Sequence, residues 1–428
     1  MQRYLCEKEL DVGLVLSAEN TSWLLNLRDK KKSEYPVVYK RLIVKKEGDF
    51  EVLTSLNGLK NLSVGVDFNK ASYNLIQSLK QAGAKIINTP EMIDDLKAQK
   101  NGVEIQNIKQ ACLFESQVIC KFLAYVEKNK NHITEMDCDK KLQSLRKKSP
   151  LYFCDSFQTI AASGVHAALA HYMATDKTNI KVIENPLLLV DTSGHYLNGT
   201  TDMTRTIVVG EPSSLMKKRY TQVLKGHIGV STSSIKVGAS SASMDEKAHA
   251  YLRADGVDFY HSTGHGIGIE IHEEPYVRQN RKDILEEGMI ITVEPGIYIP
   301  SLGGVRIEDD VLVTSNGYKI LTEYSKEQRS LEKAVNLFRE YTKLQDAIPD
   351  LKEMKASDDA EIALMAAMEL EESLSRISES FLLYPHFVRI SFFRELPLKK
   401  ETRTFKNNFL LLISWKIKLF NERESFFA

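Results

Sequence analysis

Residues 187–206 read LLLVDTSGHYLNGTTDMTRT. An apolar run ends at Asp191, turn-forming residues occupy 193–199, and a second β-type run follows over 201–209. Runs of this kind bounded by Gly, Ser and Asn predict two strands joined as a hairpin. Paired strands lie ~5 Å apart, so Asp191 and Asp202, near opposite ends of the turn, are predicted to share one site. Two carboxylates side by side repel and take up protons unless a cation lies between them. This stretch therefore predicts a β-rich body and a cation site together.

Three downstream motifs add donors of the same kind. His265 sits in HSTGHGIG (261–268), where Gly264, Gly266 and Gly268 permit close approach by a substrate or metal. Glu294 ends the run IITVEPG (290–296), and Pro295 keeps the residue before it extended. Glu308 lies in GGVRIEDD (303–310), with Arg306 two positions earlier on the predicted strand. Each residue alone has an ordinary reading, as a turn, an edge or a structural histidine. Together, four carboxylates and one imidazole form a hard donor set. Such a set suits two divalent cations such as Mn, Co, Fe or Zn, which can lower the pKa of a water between them.

Around the hairpin, residues 156–322 read as an α+β body, with a helix over 220–233 and further strands over 289–294 and 305–313. Before it, two helices are predicted over 103–129 and 135–147, the second capped by Thr134 with Asp137 three residues on. The first hundred residues alternate strands (12–17, 42–45, 64–66, 85–87) with a helix over 71–81, which predicts a small α/β domain. Beyond about Lys326 the pattern changes. Residues 331–380 carry Ala, Glu, Leu and Met at helical spacing. Residues 381–428 hold nine of the 17 Phe, with no period that would bury them on one face.

Composition excludes several classes. Lys+Arg and Asp+Glu are both 57, so there is no whole-chain basic footprint for nucleic acid. The 43% apolar and 27% charged residues match an ordinary globular protein. Five scattered cysteines form no CxxC pair, which argues against a disulfide framework and fits a reducing, cytoplasmic setting. No apolar run approaches the ~18 residues of a membrane span.

Asp191…DMTRT, HSTGHGIG, TVEPGIY and GGVRIED together resemble the pita-bread metallopeptidases, the family of aminopeptidase P and prolidase. The resemblance runs from about Thr21 to Thr322. WLLNLR (23–28), HYMATDKTN (171–179) and YTQVLKGHIGV (220–230) are similar to the cytosolic aminopeptidase P branch, whereas 265–322 is closer to prolidase or the shorter aminopeptidase P. The resemblance implies a creatinase-type α/β domain over 1–100, with a domain that precedes it in the long enzymes missing, and a pita-bread catalytic domain over 101–326. It implies that Asp191 binds one metal, that Asp202 and Glu308 bridge two, and that His265 and Glu294 complete the other, with Mn2+ foremost. It also implies that His171, His261, His272 and Arg306 serve substrate and transition state, and that the enzyme forms a homodimer acting on proline-containing peptides. The activity implied is release of the residue before proline. An Xaa-Pro dipeptidase or a non-catalytic binding protein are the alternatives. His132, His166, His195, His227, His249 and His386 keep ordinary structural readings. Residues 331–380 resemble the N-terminal helical region of a bacterial class-1 peptide chain release factor without its GGQ motif, so the expectation is a peptidase joined to a fragment.

Overall fold

The computed structural model describes residues 1–29, 37–90, 92–233, 235–254 and 256–322. The expected helical segment 331–380 and the aromatic tail 381–428 lie outside the described residues.

The first lobe is built on one mixed sheet. Its elements are α1 (Gln2–Glu7), β1 (Val12–Val15), α2 (Ala18–Leu25), β2 (Leu42–Lys45), β3 (Phe50–Val52), β4 (Ser63–Val66), α3 (Tyr73–Gln81), β5 (Lys85–Asn88) and α4 (Asp94–Ala98). Strand order is β3-β2-β1-β4-β5, with β1–β4 and β4–β5 parallel and the other pairs antiparallel. The alternation of β1 sends Val12 and Leu14 into a cluster with Leu79 of α3, while Val15 joins Leu5 of α1 on the other face. Gly83, at φ +81, lets the chain leave α3 in the left-handed region. The sequence reading passed over α1, α2 and α4, which are six, eight and five residues long. Helices that short show barely two turns of apolar period.

The second lobe opens with α5 (Gly102–Asn129) and α6 (Glu135–Arg146). Asn101 with Glu104, and Thr134 with Asp137, form reciprocal capping boxes at their starts. Six strands follow: β6 (Tyr152–Asp155), β7 (Ile160–Ser163), β8 (Leu187–Thr192), β9 (Gly194–Tyr196), β10 (Gly199–Thr200) and β11 (Met203–Val208). Strands β11-β8-β7 make one antiparallel sheet and β10-β9-β6 another. The turn-rich stretch of the hairpin is thus itself a small hairpin that pairs with β6. Phe122 and Leu142, from α5 and α6, pack on Leu188, Val190 and Met203. Full burial of Phe122 contributes about 2–3 kcal/mol.

Helices α7 (Ser214–Ser233) and α8 (Ser241–Arg253) cover the other half. Its strands are β12 (Gly264–Gly266), β13 (Glu273–Val277), β14 (Ile290–Val293), β15 (Gly296–Ile299), β16 (Gly303–Arg306), β17 (Asp309–Thr314) and β18 (Gly317–Ile320). The sheet order is β13-β12-β14-β17-β18, and β15 pairs with β16 apart from it. Val223, Val230 and Leu252 of the helices pack on Ile291, Val293 and Val311.

One expected strand, 305–313, is two. The ladder of β16 with β15 ends at Arg306, and the chain crosses to pair β17 with β14. At the crossing the Glu308 N–H donates to the Thr204 carbonyl of the other half, at 3.1 Å. A uniform apolar run cannot signal that change of partners.

Candidate metal centre

Period-two alternation aims the polar residues inward. Leu188 and Val190 of β8 face the helices, so Asp191 faces away from them. On β14, Ile291 and Val293 face α7 and α8, so Thr292 faces away. Asp191 pairs across the ladder with Thr204, not with Asp202, which lies just before β11. The two aspartates therefore come together diagonally rather than as cross-strand partners. Val293 pairs with Asp309, so Glu294 and Glu308 stand at adjoining strand ends.

Ligand atoms of Asp202, His265 and Glu308 all lie within 4.8 Å of one another, and all three residues are buried. His265 Nε2 is 3.3 Å from Glu294 Oε1 and 3.7 Å from Asp202 Oδ2. Its Nδ1 faces the Gly266 carbonyl at 3.0 Å, and donation there leaves the Nε2 lone pair turned to the carboxylates. The Asp202 N–H donates to Asp310 Oδ2 at 3.1 Å. Asp191 stands beside this group, held by Arg306 Nη2 at 2.7 Å.

Electrostatics test whether these residues fit a cation. Burial, followed by repulsion from Glu308 and Asp191, pushes the Asp202 carboxyl well above its ordinary range. Burial and the charges of Glu294 and Asp191 do the same to Glu308. Among the described residues, buried Asp191 Oδ1 and Asp202 Oδ1 have no hydrogen-bond donor. Buried carboxylate oxygens without donors are costly, and a cation relieves that cost. Burial also works against Glu294, but the hydrogen bond and charge of His265, then His261 and Arg306, outweigh it and hold Glu294 at about 2. The oxygen-rich donor set, its orphaned oxygens and its mutual repulsion fit hard divalent cations.

The accessory residues lie beside this group. His261 Nε2 meets the Tyr298 hydroxyl at 2.7 Å and its Nδ1 lies 3.9 Å from Glu294 Oε2. The His272 ring stands edge-on to His265, with centroids 4.3 Å apart. His171 is exposed and lies near enough to bear on the electrostatics of His261 and His272. Arg306 and Glu308 do not share one strand face as expected. They meet through Thr204, whose hydroxyl accepts from Arg306 Nε at 3.0 Å and donates to Glu308 Oε2 at 2.6 Å.

Sequence reading missed three supports. Tyr298 joins His261 to Arg306, whose Nη1 it engages at 2.6 Å. Thr204 stands opposite Asp191 in the β8–β11 ladder, a register that the sequence does not display. Asp309 is secured by Arg205 at 2.8 Å, His227 at 3.1 Å and the Thr322 hydroxyl at 2.7 Å, so His227 braces the strand that begins beside Glu308.

A buried carboxylate–imidazole cluster between two antiparallel halves defines a metal-dependent hydrolase class. Residues 106–315 match the model of metallopeptidase family M24. A Pyrococcus horikoshii Xaa-Pro dipeptidase is 34% identical over 281 residues, covering 65% of this chain and 77% of that protein. An Aspergillus flavus probable Xaa-Pro aminopeptidase P is 36% identical over 255 residues, covering 57% of this chain but 39% of that protein. The solved prolidase from Pyrococcus furiosus superposes with a TM-score of 0.63 at 30% identity, covering 76% of this chain and all of that one. The chain belongs to metallopeptidase family M24, and its catalytic half has the pita-bread fold. Its relatives carry both Xaa-Pro dipeptidase and aminopeptidase P names. Among the described residues no helix is long and apolar enough to cross a membrane.

Proposed function

We propose that this chain is an Xaa-Pro aminopeptidase that removes the N-terminal residue from peptides with proline second. The observation that carries the reading is the buried Asp202–His265–Glu308 group with Glu294 and Asp191 at its edge. In this reading Asp191, Asp202, His265, Glu294 and Glu308 hold two divalent cations, Mn2+ foremost. Bound cations of this kind supply acidified water and polarise a carbonyl.

The chain's own residues do the rest. His265 is oriented by its bond to the Gly266 carbonyl, and Thr204 orients Glu308. Desolvation, then the neighbouring His265, lowers His272 to about 4, so its imidazole is neutral near pH 7 although the residue is exposed. A neutral imidazole can donate one hydrogen bond to the charge that develops on the scissile carbonyl oxygen. His261 is lowered by burial and is held by Tyr298, which lets it orient substrate or pass a proton to the leaving nitrogen. Arg306 supplies the counter-charge to Asp191 at 2.7 Å. His171, which is exposed, can bind the peptide backbone. The Xaa-Pro bond nitrogen carries no hydrogen, so general aminopeptidases that need that N–H do not take it.

The dipeptidase reading has its own support, because the archaeal dipeptidases align over more of this chain than the fungal aminopeptidases do. A Mn2+-supplemented assay of an Xaa-Pro dipeptide against a longer Xaa-Pro-Xaa peptide separates the two. Cleavage of both supports the aminopeptidase; cleavage of the dipeptide alone supports the dipeptidase.

A further inference from the structure

Glu273 opens β13 and directly follows His272. Its side chain is 1% exposed. Oε1 accepts from the Glu270 N–H at 3.0 Å and lies 3.6 Å from Lys97 Nζ, while Oε2 accepts from Lys100 Nζ at 3.2 Å. Gly268 lies against the same carboxylate, since a Cβ there would meet Oε2 at 2.4 Å. The turn from β12 to β13 is thus folded around a buried anion.

The two cations come from the end of α4 and the stretch that leads into α5. Lys97 also engages Glu270, and it lies 3.8 Å from Asp94. The Lys100 N–H donates to the Gly288 carbonyl at 3.0 Å, which fixes its backbone. Buried ammonium groups persist only when paired, and desolvation lowers the pKa of Lys100 even here. None of these groups takes part in the chemistry proposed above. What they hold is the turn that ends in His272, whose ring stands against His265.

We propose that the Glu273–Lys97–Lys100 cluster is a positioning device that locks the β12–β13 turn and so presents the His272 imidazole to the reacting carbonyl. This rests on the reading of His272 as an oxyanion donor. A misplacement of about 1 Å at such a donor costs on the order of 10²-fold in rate.

The test is a double-mutant cycle on the full Mn2+-loaded chain with an Ala-Pro-Ala peptide, following kcat, KM and metal content. Lys100→Met should lower kcat about 10-fold or more, with KM and bound metal little changed. His272→Ala should lower kcat by about 10²–10³ and keep its metal. The double variant should be no slower than His272→Ala alone, and Lys100→Arg should recover most of the activity. In labelled protein loaded with diamagnetic Zn2+ in place of Mn2+, Lys100→Met should shift the His272 imidazole resonance and leave that of His249 in place. Losses that multiply in the double variant, or a His272 resonance that does not move, overturn the proposal. An unaltered kcat in His272→Ala overturns the functional reading of that residue instead, and the resonance still decides the positioning claim. If Lys100→Met does not fold, Glu273→Gln, which keeps volume and one acceptor, enters the same cycle.

Discussion

Replacing Arg306 with Met tests the electrostatic balance of the site. The residue is 2% exposed. Its guanidinium reaches Asp191 at 2.7 Å, the Tyr298 hydroxyl at 2.6 Å, Thr204 at 3.0 Å and the Ala170 carbonyl at 3.2 Å. At 2.7 Å and an effective dielectric of about 20, the Arg306–Asp191 attraction is about 6 kcal/mol, much of it offset by desolvation. Removing one partner leaves Asp191 buried against the other carboxylates, which costs about 3–5 kcal/mol. At about 2–4 °C per kcal/mol for a fold of this size, the chelator-treated variant should melt about 6–20 °C below wild type. Saturating Mn2+ should close more than half of that gap, because a cation beside Asp191 restores the counter-charge. Thermal unfolding with chelator and with Mn2+ measures both. A metal-free variant melting within about 2 °C of wild type would refute the reasoning.

Asp202→Ala or Glu308→Ala should lose at least one metal and nearly all activity, and elemental analysis finding two metals still bound in Asp202→Ala would sink the ligand assignment. His249 is buried between Asp245 and Asp258; burial lowers its pKa, but the hydrogen bonds and charges of both aspartates outweigh that and raise it. Its contribution to stability is therefore complete below the unfolded value of about 6.5 and is lost as pH rises through the higher folded value. Denaturant unfolding at pH 6 and pH 9 should show that decline in wild type, and a flatter response in His249→Gln; equal slopes would remove the argument. Truncation after Lys326 should leave two metals bound, since β18 and Thr322, which bonds Asp309, are retained; a truncated chain that unfolds or binds no metal would show that the later residues belong to the peptidase core.

Much of the site could be read from the chain because its donors sit in local contexts that sequence displays. Asp191 closes an apolar run, His265 lies among glycines, Pro295 marks a strand end at Glu294, and the capping box at Thr134 marks the start of a helix. Alternation and capping are short-range, so local sequence determines them.

Tertiary structure decided what depends on register and on distant segments. That Asp191 faces Thr204 rather than Asp202 follows from the ladder β8–β11, which turn length alone does not specify. That Arg306 and Glu308 meet through a threonine about a hundred positions away depends on the strand changing sheets between them. Lys97 and Lys100 read as ordinary charges on a polar stretch, yet they are buried against Glu270 and Glu273, each 173 residues on. Composition and spacing determined which chemical groups the chain brings. Pairing partners far apart in sequence decided which of them share a proton, a cation or a turn, because those contacts exist only once both halves are packed.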